Sequence, residues 1–318
     1  MGERDAILGG LRLIEVEGEK LLVIDSHIHP PDALDYDHRY PHSFSPSLVE
    51  ELLARMDEAG VDYVVMFAVE LDPEGYEHFM ESWSSHHKSM GRMILRMVNT
   101  PNEEVKEYVK RSSGRVVGFG SINPHLSEES LEEKIGIIKD YGFKGLKLLP
   151  TIQFFNPADE NLDPLFKLAY REGLIVTIHT GCDPGPWEDP RLSAHSNPKH
   201  IEKVASRYPG LKIVMAHMGS YSALMPGIWF EEAMEVAGHH DNVYVDIAAV
   251  FSRRLVKEAV RRIGEDKVLF GSDYPAIGGY CDRKTGMVNC VRWAVSFDLP
   301  LRVRRKILGE NAKKLLSL

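Results

Sequence analysis

The sequence predicts an α/β chain folded as a (β/α)8 barrel. Three observations carry this: eight short runs rich in apolar and β-branched residues, an amphipathic segment after each, and a length of 318 residues. The candidate strands are 21–26, 62–68, 116–122, 145–149, 174–179, 211–217, 243–247 and 268–272. Helical segments at 46–59, 102–110, 128–141, 164–172, 198–208, 229–236 and 252–263 alternate with them, as parallel strands joined by crossovers require. Ser45-Pro46 opens the first helix and Gly60 stops it, while Gly173 stops the segment before the fifth strand. Segment 75–97 is longer than one helix needs and is expected to hold two. Residues 1–20 read as a short N-terminal decoration on a single domain spanning 1–318. An open doubly wound sheet competes with the barrel, but it predicts a glycine-rich phosphate loop, and neither G-x-G-x-x-G nor a Walker pattern occurs.

Charge and hydropathy exclude several function classes. The formal net charge is -9 and no Lys/Arg block stands out, which disfavours a nucleic-acid partner. No apolar run approaches the roughly 18 residues that span a bilayer, so no membrane role is expected. The start, Met1-Gly2-Glu3-Arg4-Asp5, leads into no secretory segment, and the expected location is cytoplasmic. Cys182, Cys281 and Cys290 are too few and too widely spaced for a disulfide framework or a Cys-x-x-Cys zinc site. Gln153 is the only glutamine amid abundant Lys, Arg and Glu, a bias expected of a heat-resistant, thermophile-type protein.

The chemistry lies at the strand ends. The first strand runs out in Asp25-Ser26-His27-Ile28-His29, and residues two apart on a strand share a face, so both imidazoles can reach one ion. The fourth strand carries Lys147, the fifth ends in His179, the sixth in His217 and the eighth in Asp273. In a barrel these ends meet at one C-terminal mouth, where active sites sit. Four imidazoles and a carboxylate are costly to bury there unless they bind a cation or one another. Asp25 continues the inward alternation and is expected either to support a ligand or to fix the strand end. Of the loop histidines, His195 has the best claim to face the pocket, while His38, His42 and the rest read as surface residues. Trp187, Phe154, Phe155, Tyr221, Phe251 and Tyr274 follow strands and are candidates for an aromatic wall.

As a set, these residues resemble the amidohydrolase superfamily. The wording GLKLLP, IHTG, IVMAHMG, LFGSDYP and ILGENAKKLL is similar to its amidohydrolase-2 branch, which includes aminocarboxymuconate-semialdehyde decarboxylase and resorcylate-type decarboxylases. The resemblance implies His27, His29, His179 and Asp273 as metal ligands and His217 as the catalytic histidine, with Asp273 also moving a proton. Three histidines and one carboxylate leave a position for water, and these donors suit zinc while admitting manganese, iron or cobalt. Lys147 is open between two roles: carboxylated, it would bridge a second metal with His179 and His217; unmodified, it would face an anionic substrate. One metal is the favoured expectation.

Two reactions fit this set. The leading expectation is hydrolysis of an amide, lactone or related ester by a metal-activated water, with Asp273 accepting the proton and His217 polarising the carbonyl. The alternative is nonoxidative decarboxylation of a small carboxylic acid by the same residues. That reaction needs a cation for the anion, from Lys147 or from Arg191 or Arg283 in the mouth loops, since no arginine follows strand two. A barrel that binds without catalysis is disfavoured by the complete ligand set. A deaminase would want glutamate in a His-x-x-Glu arrangement, and a TatD-like nuclease would put glutamate where Lys147 stands. The expected partner is a small molecule; the oligomeric state is open, and the resemblance admits a homodimer, since dimers occur in that branch.

Overall fold

The computed structural model describes residues 6–8, 11–16, 18–33, 44–275 and 283–318. The chain starts with two small antiparallel hairpins, β1 (Ala6–Leu8) with β2 (Leu11–Leu13) and β3 (Glu15–Val16) with β4 (Glu19–Lys20), which form the expected decoration. Eight parallel strands follow: β5 (Ile24–Ile28), β6 (Tyr63–Phe67), β7 (Val116–Ser121), β8 (Gly145–Leu148), β9 (Ile175–Gly181), β10 (Ile213–Tyr221), β11 (Val243–Asp246) and β12 (Val268–Leu269). They pair in sequence order from β5 to β12. The two edges then meet through Ser26 N to Phe270 O (2.9 Å), Asp273 N to His27 O (2.8 Å) and His29 N to Tyr274 O (2.7 Å), so the sheet closes into a barrel.

Helices wrap the outside: α1 (Pro46–Ala59), α2 (Ser85–Val98), α3 (Asn102–Arg111), α4 (Glu128–Asp140), α5 (Asp163–Arg171), α6 (Ile201–Arg207), α7 (Phe230–His239), α8 (Arg253–Ile263), α9 (Gly286–Val295), α10 (Leu301–Arg305) and α11 (Asn311–Leu316). α1 keeps its anticipated bounds because Pro46 suits the first turn and Gly60 takes the left-handed conformation that ends it (φ 70°). Segment 75–97 does divide in two, into a 3-10 turn at Glu77–Met80 and α2. Two expected elements are shorter than read. Residues 198–208 open with a 3-10 turn, Pro198–His200, before α6. β12 stops at Leu269 because the chain beyond it leaves β11 to bond to β5.

Alternation along the strands builds two apolar layers. Leu146, Leu148, Val176, Ile178, Ile213 and Met215 pack outward against the helices. Ile24, Val65, Phe67, Val117, Phe119, Ile175, Val214 and Leu269 fill the interior, where Ala312, Leu315 and Leu316 of α11 close the floor. Lys144 Nζ donates to Leu316 O (2.8 Å) and Lys212 Nζ to Leu315 O (3.1 Å), capping the helix end with cations that its dipole favours. No helix among the described residues is long and apolar enough to cross a membrane. Cys182 is a free, buried thiol, whereas Cys290 is disulfide-bonded, which its spacing from the other cysteines does not foretell.

Candidate active site

The strand ends converge on a cavity of about 50 Å³ lined by His27, His29, Lys147, His179, His217 and Asp273, so the six candidate metal and catalytic residues reach one place. Two arrive by plain alternation. Lys147 lies between Leu146 and Leu148, which face the outer layer, and His179 follows Ile175 and Thr177 inward on β9. The others need irregular backbone. A register shift between Asp25 and Ile28 leaves Ile24 in the interior layer yet still turns His27 into the mouth. His217, Met218 and Asp273 adopt φ values of 63°, 40° and 61°, a left-handed conformation that costs a non-glycine residue and concentrates at functional sites. Gly271 lets β12 approach closely, since a Cβ there would lie 2.8 Å from His27 Cβ.

Asp246, on β11, organises the imidazoles. Its carboxylate accepts from His27 Nδ1 (2.9 Å), His217 N (2.8 Å) and Ala248 N (3.0 Å). His217 Nδ1 donates to Ala248 O (2.9 Å). In both rings the Nδ1 proton is thereby spoken for, and Nε2 presents a lone pair to the cavity. Burial works against the charge on Asp246, but the His27 imidazole and its hydrogen bond hold the carboxyl below its usual range. The same contest, won by His27 and His29, keeps Asp273 ionised well below the usual value. Burial drives His179 and His217 well below the ordinary imidazole value and lowers His29. At His27 burial and Lys147 pull downward, yet Asp246 and Asp273 leave it raised.

The donor set fits a divalent cation. His27 Nε2 and His29 Nε2 lie 3.2 and 3.6 Å from one oxygen of Asp273, and the buried His179 Nε2 has no hydrogen-bond partner. The donor atoms of His27, His217 and Asp273 fall within 4.8 Å of one another. Nitrogen and carboxylate donors with exposed lone pairs are what such an ion selects. Lys147 Nζ sits 3.2 Å from His27 Nε2 and 4.7 Å from the centre of the Phe67 ring. Burial lowers its pKa to about 8 against the pull of Asp246, Asp273 and Asp183.

Of the two roles open to Asp25, fixing the strand end is the one observed: its carboxylate accepts from Ser272 N (2.9 Å) and His27 N (3.3 Å) at the seam between β5 and the chain after β12. Other expectations are corrected. His195 is exposed and lines no part of the cavity. Arg191 pairs with Asp189 and Arg283 with Glu51, and neither reaches the pocket. Of the aromatic candidates only Tyr221 lines the cavity, 4.5 Å from the His217 ring centre; Trp187 is buried against Trp83 and Phe154. His38, His42 and Cys281 lie outside the described residues. Sequence reading missed two carboxylates. Asp246 was signalled by its place inside the apolar run Val243-Tyr244-Val245-Asp246-Ile247, where a charge needs a partner. Asp183, on the cavity wall with Oδ1 3.4 Å from His179 Nε2, had no such signal, because it sits in a loop.

An eight-stranded parallel barrel with histidine and carboxylate donors at its mouth defines a class, the barrel enzymes that use a divalent metal. Residues 24–318 match the Amidohydrolase family model, and the chain belongs to that family. A curated relative, 2-amino-3-carboxymuconate-6-semialdehyde decarboxylase from Dictyostelium discoideum, is 24% identical over 211 residues, and the chain spans about half of its length (55%, and 55% of this chain). An uncharacterised barrel protein from Bordetella bronchiseptica superposes with a TM-score of 0.68 at 21% identity, covering 93% of this chain and 99% of that one. The 5-carboxyvanillate decarboxylase of Novosphingobium aromaticivorans, complexed with manganese and 4-hydroxy-3-methoxy-5-nitrobenzoic acid, superposes at 0.62 with 19% identity, covering 94% and 96%.

Proposed function

We propose that the chain is a metal-dependent nonoxidative decarboxylase of a small carboxylic acid. The observation that carries this reading is the divided lining of the cavity. One side holds the imidazoles, Asp273 and buried Lys147; the other is aliphatic, with Val69, Ile94, Val98, Leu149 and Ile152. The relatives named as decarboxylases point the same way. His27, His29, His179 and Asp273 would hold the ion, zinc being favoured on donor chemistry and manganese or iron fitting as well. Once bound, it would supply a Lewis acid that grips and polarises a substrate oxygen. Lys147 provides the cationic charge that draws the substrate anion inward. The aliphatic wall disfavours a charged carboxylate and tolerates neutral carbon dioxide, so it favours breaking the carbon–carbon bond. The bonding pair stays on the substrate carbon, which takes a proton. His217, neutral at rest and aimed by Ala248, relays that proton from solvent.

The second reading is hydrolysis of an amide or lactone, favoured by the position of Asp273 beside two imidazoles, where it could accept a proton from water. One experiment separates the two. Purified enzyme loaded with zinc or manganese is incubated with dihydroxybenzoate-type acids and with amide and lactone panels. Release of carbon dioxide from an acid is expected; ring opening or amide cleavage without it would replace the first reading by the second.

A further inference from the structure

Beside the metal cavity lies a larger groove of about 600 Å³, formed by the loops after β9, β10 and β11. The two share Pro184 and Tyr221, and the Tyr221 ring stands between the groove and the imidazoles of His179 (5.2 Å) and His217 (4.5 Å). Among the described residues the groove is lined by Ala223, Pro226, Ala249, Val250, Phe251 and Leu255, with Glu188 and three serines as polar groups and no cationic side chain. Glu188 is committed to the loop itself, accepting from Ser222 Oγ (2.7 Å) and Ala223 N (3.0 Å). The ring of Phe251 packs edge-on against Trp293 (6.0 Å) and is 43% exposed.

Volume and charge together bear on the substrate. A cavity of about 50 Å³ takes a carboxyl group and little else, whereas pockets for small molecules run to roughly 300–1,000 Å³. The rest of the substrate must extend past the mouth, and the described lining of the adjoining groove is largely apolar and holds no cation. We propose that this groove is a second substrate subsite, which takes an uncharged, apolar arm, such as an aryl ring or short hydrocarbon chain, of an acid whose carboxylate is held at the metal cavity. The inference rests on the reading of the cavity as a carboxylate site, and it extends that reading from simple monocyclic acids to acids with an apolar extension.

The test is a binding measurement on metal-loaded enzyme, with benzoate and biphenyl-4-carboxylate as calorimetric probes. The expected result is that the biphenyl acid binds at least about tenfold tighter, the second ring being buried in the groove. Ala223→Trp, which fills the groove from its exposed rim, should bring that ratio close to one, and a crystal of the complex should show the distal ring against Phe251. If benzoate binds and the biphenyl acid gains nothing, or the gain survives Ala223→Trp, the subsite is overturned while the carboxylate reading stands. A distal ring seated against Ile94 and Val98 overturns it equally. If neither acid binds, the carboxylate reading falls and takes the subsite with it.

Discussion

The same eight strands end in two opposite environments. At the floor, Ile24, Val65, Phe119 and Leu269 meet Ala312, Leu315 and Leu316 of α11 in an apolar plug, and none of the four strand residues is left-handed. At the mouth, a few residues further along, His27, Lys147, His179, His217 and Asp273 are buried together, and the chain is left-handed at His217, Met218, Ala249 and Asp273. Floor side chains lose nothing by burial, whereas mouth side chains lose hydration and recover it only through Asp246, Asp273 and a cation. The floor is therefore built for stability and the mouth for chemistry. Substitutions at the two ends should separate those properties.

The largest effect is expected at His217. In His217→Ala the relay of the proton is lost, and turnover should fall by about a thousandfold or more. Elemental analysis should still find near wild-type metal. If the metal leaves with the imidazole, His217 is a ligand and not the proton carrier.

The mirror experiment is Leu316→Ala at the floor. Removing a buried leucine should lower the unfolding free energy by about 2–5 kcal/mol in denaturant titration. Rate constants at 25 °C should change less than about twofold, because α11 touches the inner layer and not the cavity lining. A large loss of rate in the folded variant would show that the two ends are coupled through the strands.

Lys147→Met comes next and probes the mouth alone. The thioether keeps the apolar stem beside Phe67 but removes the cation, so KM for an anionic acid should rise and kcat/KM fall by about a hundredfold. Stability should hold or increase, since a buried charge without a perfect partner is replaced by a hydrophobe. Weakened folding together with unchanged KM would make Lys147 a structural residue.

The two ends also differ in how far they could be read in advance. The strands and most helices follow from apolar periodicity, which is a local property of the chain. Alternation was enough for Lys147 and His179, because β8 and β9 are regular where those residues sit. At Asp25 it left two roles open, and the register shift that delivers His27 to the mouth selects the strand-end one. The pairings of Asp246 with His27 and His217 join residues 219 and 29 positions apart, and no local pattern encodes such contacts. The arginines of the mouth loops failed for a related reason: a nearby carboxylate, Asp189 or Glu51, claims each guanidinium first. Membership of the family was legible as a combination of residues, whereas the choice between its reactions was not, because both draw on the same ligand set.

The smallest effect is expected at the seam between the two ends. Asp25 is fully buried, accepts two backbone N–H bonds through one oxygen, and leaves the other unpartnered. Burial raises its pKa from 3.8 to about 7, against the hydrogen bonds from Ser272 and His27. The folded chain thus binds this proton more tightly than the unfolded chain. The resulting stability is fully present below about pH 4 and is lost as pH rises through about 7. The interval sets an upper bound of about 4 kcal/mol, and relaxation around the carboxylate should reduce the observed contribution to about 1–2 kcal/mol. Asp25→Asn keeps the accepting oxygen and cannot ionise. In metal-free protein it should match the parent near pH 4 and exceed its stability at pH 8, as read by urea unfolding at both. An Asn variant that is weaker at pH 8 would mean that the charge at the seam is used by the mouth and is not merely tolerated beneath it.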